Sequence, residues 1–198
     1  MPNNLAIFYC GTNGAGKSTL RGFGHDSVQI VIDSDNIAMQ LNPENPRLAD
    51  IEAGRKAIEL FNFAIKQHID FSMESTLSGK SVLQRMRKSK ESGFTVRLNY
   101  IGVYSPKINI ARVRARVKTG GHFIDEETIK RRYFISLENL INAVLLSNET
   151  IIWDNSGEKH RMIFQVLDTK EIILLSENIP NWCNRLLEQL IRLGFKKL

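Results

Sequence analysis

Residues 11–18 read GTNGAGKS, the GxxxxGKS pattern of a phosphate-binding loop. Gly11, Gly14 and Gly16 let the backbone turn sharply and come close to a polyphosphate. Thr12, Asn13 and Ala15 lie between them, and successive amide hydrogens then point at the phosphate oxygens. Lys17 is a cation placed to reach the β and γ phosphates, and the Ser18 hydroxyl is a short neutral oxygen suited to Mg2+. Thr19 is expected at the α phosphate. Nucleotide binding, with ATP and Mg2+ as the cofactors, follows from this set; the bland alternative is a glycine-rich turn with an exposed lysine.

Such a loop needs a strand before it and a helix after it. The run Leu5-Ala6-Ile7-Phe8-Tyr9-Cys10 is short, apolar and rich in strand formers, and Ser18-Thr19-Leu20-Arg21 can open a helix whose dipole adds to the field at the phosphates. A second strand over 28–32 ends at Asp33-Ser34-Asp35, where Asn36 starts another helical stretch. Carboxylates at a strand end lie on the ligand side of an open α/β sheet. Helical spacing recurs from Leu48 to about His68, a third strand covers 69–74, Gly79 opens a basic helix to about Glu91, and 94–103 reads as a buried strand.

Residues 108–118 form a helix with Ile110, Val113 and Val117 on its apolar side and Arg112 and Arg116 sharing an adjacent face. Gly120-Gly121 breaks the chain, Asp125 caps a long helix, and 150–153 is the last core strand, ending at Asp154. Asp154-Asn155-Ser156 falls on the nucleotide side, as part of an adenine pocket or as a turn. The tail differs: 162–167 and 171–175 resemble an antiparallel hairpin, and Pro180 starts a terminal helix closed by Gly194.

The chain is 198 residues long, enough for one α/β domain over 1–198 with a core of about 5–156 and a C-terminal hairpin and helix over about 157–198. The expected architecture is a kinase-like P-loop NTPase: a three-layer sandwich around a mostly parallel sheet. A hydrophobic content of 42% with 24% charged residues argues against disorder. No run approaches a membrane span and Met1-Pro2-Asn3-Asn4 shows no secretory pattern, so the expectation is a cytoplasmic protein with Cys10 and Cys183 as buried reduced thiols. The net charge of +6 is concentrated: between Pro106 and Arg132 eight basic residues face three acidic ones. Arginines downstream of a phosphate loop suit the charge that develops on a moving γ-phosphoryl group. A nucleic-acid backbone face is the competing reading, disfavoured by the few aromatics available for stacking.

The ordered series GTNGAGKSTLRG, IDSDNIA, FSMESTLSG, NIARVRARVKTGGHFID, IKRRYFISLENL and IIWDNS resembles the zeta toxin family of small P-loop kinases, especially its compact stand-alone members. The resemblance covers about residues 5–156. It implies transfer of the ATP γ-phosphate to a sugar hydroxyl, best known for UDP-N-acetylglucosamine. Nucleoside, nucleotide and antibiotic kinases, which use the same geometry, are the alternatives within enzymes. It implies Asp35 as the catalytic base, with Asp33 the second choice and helix capping the rival role. Glu74 and Thr76 match substrate contacts, a structural salt bridge being the alternative for Glu74, and Arg55 faces the same region or is a surface arginine. Arg116 matches the arginine that steadies the γ-phosphoryl charge. The larger toxins carry a second lid arginine about where His122 stands, and Arg131 or Arg132 substitutes; the two point about 100° apart on a helix, so both are not expected at ATP. The resemblance also implies a possible antitoxin partner that blocks the ATP site.

Overall fold

The computed structural model describes residues 4–24 and 27–198; Met1, Pro2 and Asn3, on which part of the reading of the N-terminus rests, lie outside them. Strand and helix alternate: β1 (Leu5–Cys10), α1 (Lys17–Phe23), β2 (Ile30–Ile32), α2 (Ser34–Leu41), a 3-10 turn (Pro46–Ala49), α3 (Asp50–Gln67), β3 (Phe71–Ser75), α4 (Lys80–Glu91), β4 (Thr95–Gly102), α5 (Pro106–Lys118), α6 (Glu126–Leu146) and β5 (Glu149–Asp154). Then come β6 (Arg161–Leu167), β7 (Glu171–Leu174), α7 (Asn181–Arg192) and β8 (Lys196–Lys197). All these strands form one sheet in the order β2-β3-β1-β4-β5-β6-β7-β8. The first five are parallel, as strands joined by helical crossovers must be. β6 and β7 continue the sheet as an antiparallel hairpin, and β8 pairs parallel to β7.

β1 is apolar throughout because both of its faces are covered. Ala6, Phe8 and Cys10 point into the larger core, where α3, α4, α6 and α7 contribute Phe61, Met86, Leu140 and Leu190. Ile7 and Tyr9 point the other way, toward Leu20 of α1 and Ile101. The result is the expected α/β sandwich with a mostly parallel sheet. α5 stands apart at the carboxyl end of the strands, where Ile110 and Val113 pack with Ile124 and Ile129.

Several boundaries differ from the sequence reading by one or two residues, and three differences have a clear physical reason. α2 begins at Ser34, not Asn36, because the Asp33 side chain accepts from the Asn36 amide and makes Asp33 the N-cap. β3 runs one residue past Glu74, since Ser75 still pairs with Cys10. β8 was not foreseen: two exposed lysines carry no strand pattern, and only backbone pairing with β7 defines it.

Candidate active site

The phosphate loop sits where β1 hands over to α1, and its backbone shape depends on the close quarters of Gly11, Gly14 and Gly16. Gly14 has φ +77° and lies against α5, so a Cβ there would come 2.7 Å from the Asn109 carbonyl oxygen. Gly16 has φ +98°, and a Cβ there would come 2.4 Å from Asn155 Nδ2 and 2.8 Å from His160 Nε2. The carbonyls of the loop are held from outside. Asn109 Nδ2 donates to Asn13 O at 2.9 Å, Asn155 Nδ2 donates to Ala15 O at 2.8 Å, and the His160 ring nitrogen lies 3.1 Å from Gly16 O. Fixing a carbonyl fixes its peptide plane, and with it the direction of the next amide hydrogen. Burial pushes the His160 imidazole below the usual histidine range, assisted by the charge of Arg112, while the Gly16 contact opposes both.

A cleft of about 1240 Å3 opens over this loop. One wall is acidic. Asp33 Oδ2 and Glu74 Oε1 each lie 3.2 Å from Arg21 Nη2, and Ser18 Oγ donates to Glu74 Oε2 at 3.0 Å. Glu74 is shifted upward by burial and by Asp33, against the pull of Lys17, Arg21 and Ser18. Lys17, which donates to Thr12 O at 3.4 Å, is shifted downward by burial, while Glu74 and Asp35 work in the opposite direction. Asp35 stands in the first turn of α2, exposed and lining the cleft. It forms no hydrogen bond or ion pair with another described residue. Capping falls to Asp33, which leaves the Asp35 carboxylate free.

Thr76 also lines the cleft, its hydroxyl 2.7 Å from Ser78 Oγ. The bend that turns β3 toward the cleft is sharp: Leu77 takes φ +55° although it is not glycine. Such a conformation costs about 1–3 kcal/mol and needs over-determination by its surroundings. Here the Leu77 side chain is fully buried and its carbonyl accepts from Asn139 Nδ2 at 2.9 Å.

The opposite wall carries arginines. Arg116 lines the cleft and its Nη2 donates to His122 O at 3.2 Å. Arg112 lines it too, with Nη2 on Gly157 O at 3.1 Å and Nη1 buried without a hydrogen-bond partner. Arg132 reaches the loop directly, Nη1 donating to Asn13 Oδ1 at 2.9 Å. Arg131 is exposed and does not line the cleft, in keeping with its angular offset from Arg132 on α6; its charge acts on Asp125. Arg55 is exposed on α3 and does not line the cleft either. The cleft thus gathers Lys17, Ser18, Asp35, Glu74, Thr76, Arg116 and Arg132, and leaves out Arg55 and Arg131.

Four contributors escaped the sequence reading, among them Asn109, whose side chain holds the Asn13 carbonyl. Arg21 had a usable signal, being one helical turn after Lys17 on the helix that follows the loop. Asn155 was read only as a turn or a pocket edge, and His160 carried no local signal; both act on the loop from more than a hundred residues away.

The chain is 72% identical over 130 residues, 66% of its length and 93% of the relative's, to an uncharacterised protein of Haemophilus influenzae. Among solved structures it is similar to AvrRxo1-ORF1:-ORF2 with ATP, with a TM-score of 0.70 at 11% identity over 96% of this chain, of which it spans 64% of the other chain's length. It is also similar to the PezAT chromosomal toxin-antitoxin system of Streptococcus pneumoniae, with a TM-score of 0.60 at 16% identity over 98% of this chain and 85% of that one. At these identities the two structures establish a shared P-loop kinase-like fold. The family model described as Zeta toxin matches residues 2–161, most of the chain, and the protein belongs to that family.

Proposed function

We propose that the protein transfers the γ-phosphate of ATP to a hydroxyl group of a sugar, in a nucleotide-activated amino sugar of the UDP-N-acetylglucosamine type. The observation that carries this reading is a free carboxylate at the end of β2: among the described residues Asp35 faces the cleft unpaired, close enough for its charge to act on Lys17, while Asp33 and Glu74, the other carboxylates beside the phosphate loop, share Arg21. Asp35 accepts the proton of the acceptor hydroxyl as that oxygen bonds to the γ-phosphorus, and the bond to the β–γ bridging oxygen breaks to release ADP. Lys17 and the loop amides hold the β and γ phosphates. Arg116 and Arg132 answer the charge that develops during transfer, with the fork geometry that lysine lacks. Glu74 and Thr76 hold the acceptor.

Mg2+ fits the residues present. Among the described residues no three His, Cys, Asp or Glu side chains gather into a metal cage, and Mg2+ in nucleotide sites relies on few protein oxygens, with phosphates and waters completing the shell. Ser18 Oγ would hold it, with the buried Glu74 carboxylate alongside; when bound, it neutralises charge on the β and γ oxygens.

Of the basic stretch, Arg114 is engaged with Glu126 and Lys130 with Glu127, Arg112, Arg116 and Arg132 line the cleft, and Lys107, Lys118 and Arg131 stand exposed outside it. That distribution favours a buried phosphate over a nucleic-acid backbone as the target. An antitoxin that occludes the ATP site is a further part of the proposal, supported by family membership and by the toxin-antitoxin system among the structural relatives. The test is radiolabel transfer from γ-labelled ATP to a panel of hydroxyl acceptors, with UDP-N-acetylglucosamine, nucleosides and aminoglycosides side by side. Label on the sugar nucleotide is expected; label on a nucleoside or an antibiotic alone would reassign the acceptor.

A further inference from the structure

We infer that Arg47 is a positioning residue that latches the 119–125 loop against the Arg116 side chain and thereby sets Arg116, which lines the cleft, an inference that rests on the phosphoryl-transfer reading above. Two consecutive carbonyls of that loop accept from arginines of two different elements. From α5, Arg116 Nη2 donates to the His122 carbonyl at 3.2 Å. From the 3-10 turn that follows α2, Arg47 Nη2 donates to the Phe123 carbonyl at 2.5 Å, and its guanidinium carbon lies 5.7 Å from the centre of the Phe123 ring.

The two ends of the segment are fixed, and its middle is not. Its first residues are held by α5, with the amides of Thr119 and Gly121 on Arg116 O and that of Gly120 on Val117 O, and Ile124 is anchored among Ile110, Val113 and Ile129, but between them Phe123 is 55% exposed. A Cβ on Gly121 would lie 2.4 Å from Arg116 Cγ, so the loop rests directly on the Arg116 side chain. The position of the loop and the direction of that guanidinium are therefore not independent. Arg47 belongs to the turn packed against α2, whose first turn carries Asp35. The latch thus ties the wall that holds the free carboxylate to the arginine on the other wall. A planar guanidinium can donate to a carbonyl and cover an aromatic ring at once, which an ammonium does less well. Because the contact is exposed, it is weak enough to open for entry and release.

The test uses the full chain with Mg-ATP and UDP-N-acetylglucosamine, and follows amide hydrogen exchange at residues 119–124 in the same samples. Arg47→Ala is expected to lower kcat about tenfold, to change KM for ATP less than about twofold, to leave Tm unaltered, and to speed exchange at 119–124. Arg47→Lys should fall between the two. In an Arg116→Ala background the same change should cause no further loss of kcat, because Arg47 acts through that guanidinium. Unchanged kcat, unchanged exchange, or an equal proportional loss with and without Arg116 would overturn the inference. If the wild-type chain phosphorylates no sugar nucleotide, the proposed acceptor fails separately, and exchange in the Mg-ATP complex decides the latch: protection lost in Arg47→Ala supports it, and protection equal to wild type overturns it.

Discussion

Three carboxylates crowd one wall of the cleft, and their partners assign them different work. Asp33 caps α2 and pairs with Arg21, Glu74 shares Arg21 and accepts from Ser18, and Asp35 is bound to neither. Asp33→Ala should therefore appear chiefly as lost stability, about 0.5–2 kcal/mol for the cap alone, measured by urea unfolding; a loss of turnover with full stability would mean that Asp33 and not Asp35 is the base. His160 offers a second residue-level test. Burial holds its folded pKa below the unfolded value of about 6.5. The folded state thus binds fewer protons, so the stability tied to His160 is intact above the unfolded pKa and is lost as pH falls through the folded one. Compared with wild type, His160→Gln should show a flatter decline in unfolding free energy below about pH 6.5; parallel curves would show that the ring titrates as if in solvent.

Secondary elements were legible where their signals are local. The phosphate loop, β1 and α1 follow from adjacent residues, and the hairpin β6–β7 from two apolar runs around Asp168-Thr169-Lys170. The start of α2 was misjudged by two residues, because Ser34 and Asp35 are both acceptable in a first helical turn, and the partner that engages Asp33 is Arg21 from another element. The choice between Arg131 and Arg132 was illegible for a similar reason: both suit an exposed helix, and only the packing of α6 turns Arg132 toward Asn13. The docking of α7 was equally hidden. Its Trp182 lies over Gly102 at the end of β4, where a Cβ would come 2.3 Å from the indole, and Trp182 Nε1 donates to Asp154 Oδ1 at 2.9 Å. Gly102→Ala should cost about 1–3 kcal/mol as overpacking, with a matching change in tryptophan fluorescence; an unaltered Tm and spectrum would contradict this seating of α7.

At the scale of the whole molecule, the C-terminal segment is part of the same core that positions the phosphate loop. Ile163, Phe164, Leu186 and Leu190 are buried with Phe8 and Leu98, and His160, at the threshold of β6, touches Gly16. A chain ending at residue 160 should consequently fail to fold, and the full chain should unfold in one transition by circular dichroism and fluorescence alike. A folded, ATP-binding 1–160 fragment would refute this. Asp35 as the base in transfer of the ATP γ-phosphate to an acceptor hydroxyl is the proposal on which the other assignments depend. The most direct measurement is single-turnover transfer from γ-labelled ATP to UDP-N-acetylglucosamine, with ATP affinity determined in parallel, for the wild type and Asp35→Ala. The wild type should form phosphorylated sugar nucleotide, and the variant should do so at a rate lowered by about 10²–10⁴ with unchanged ATP affinity. Equal rates from both proteins would contradict it.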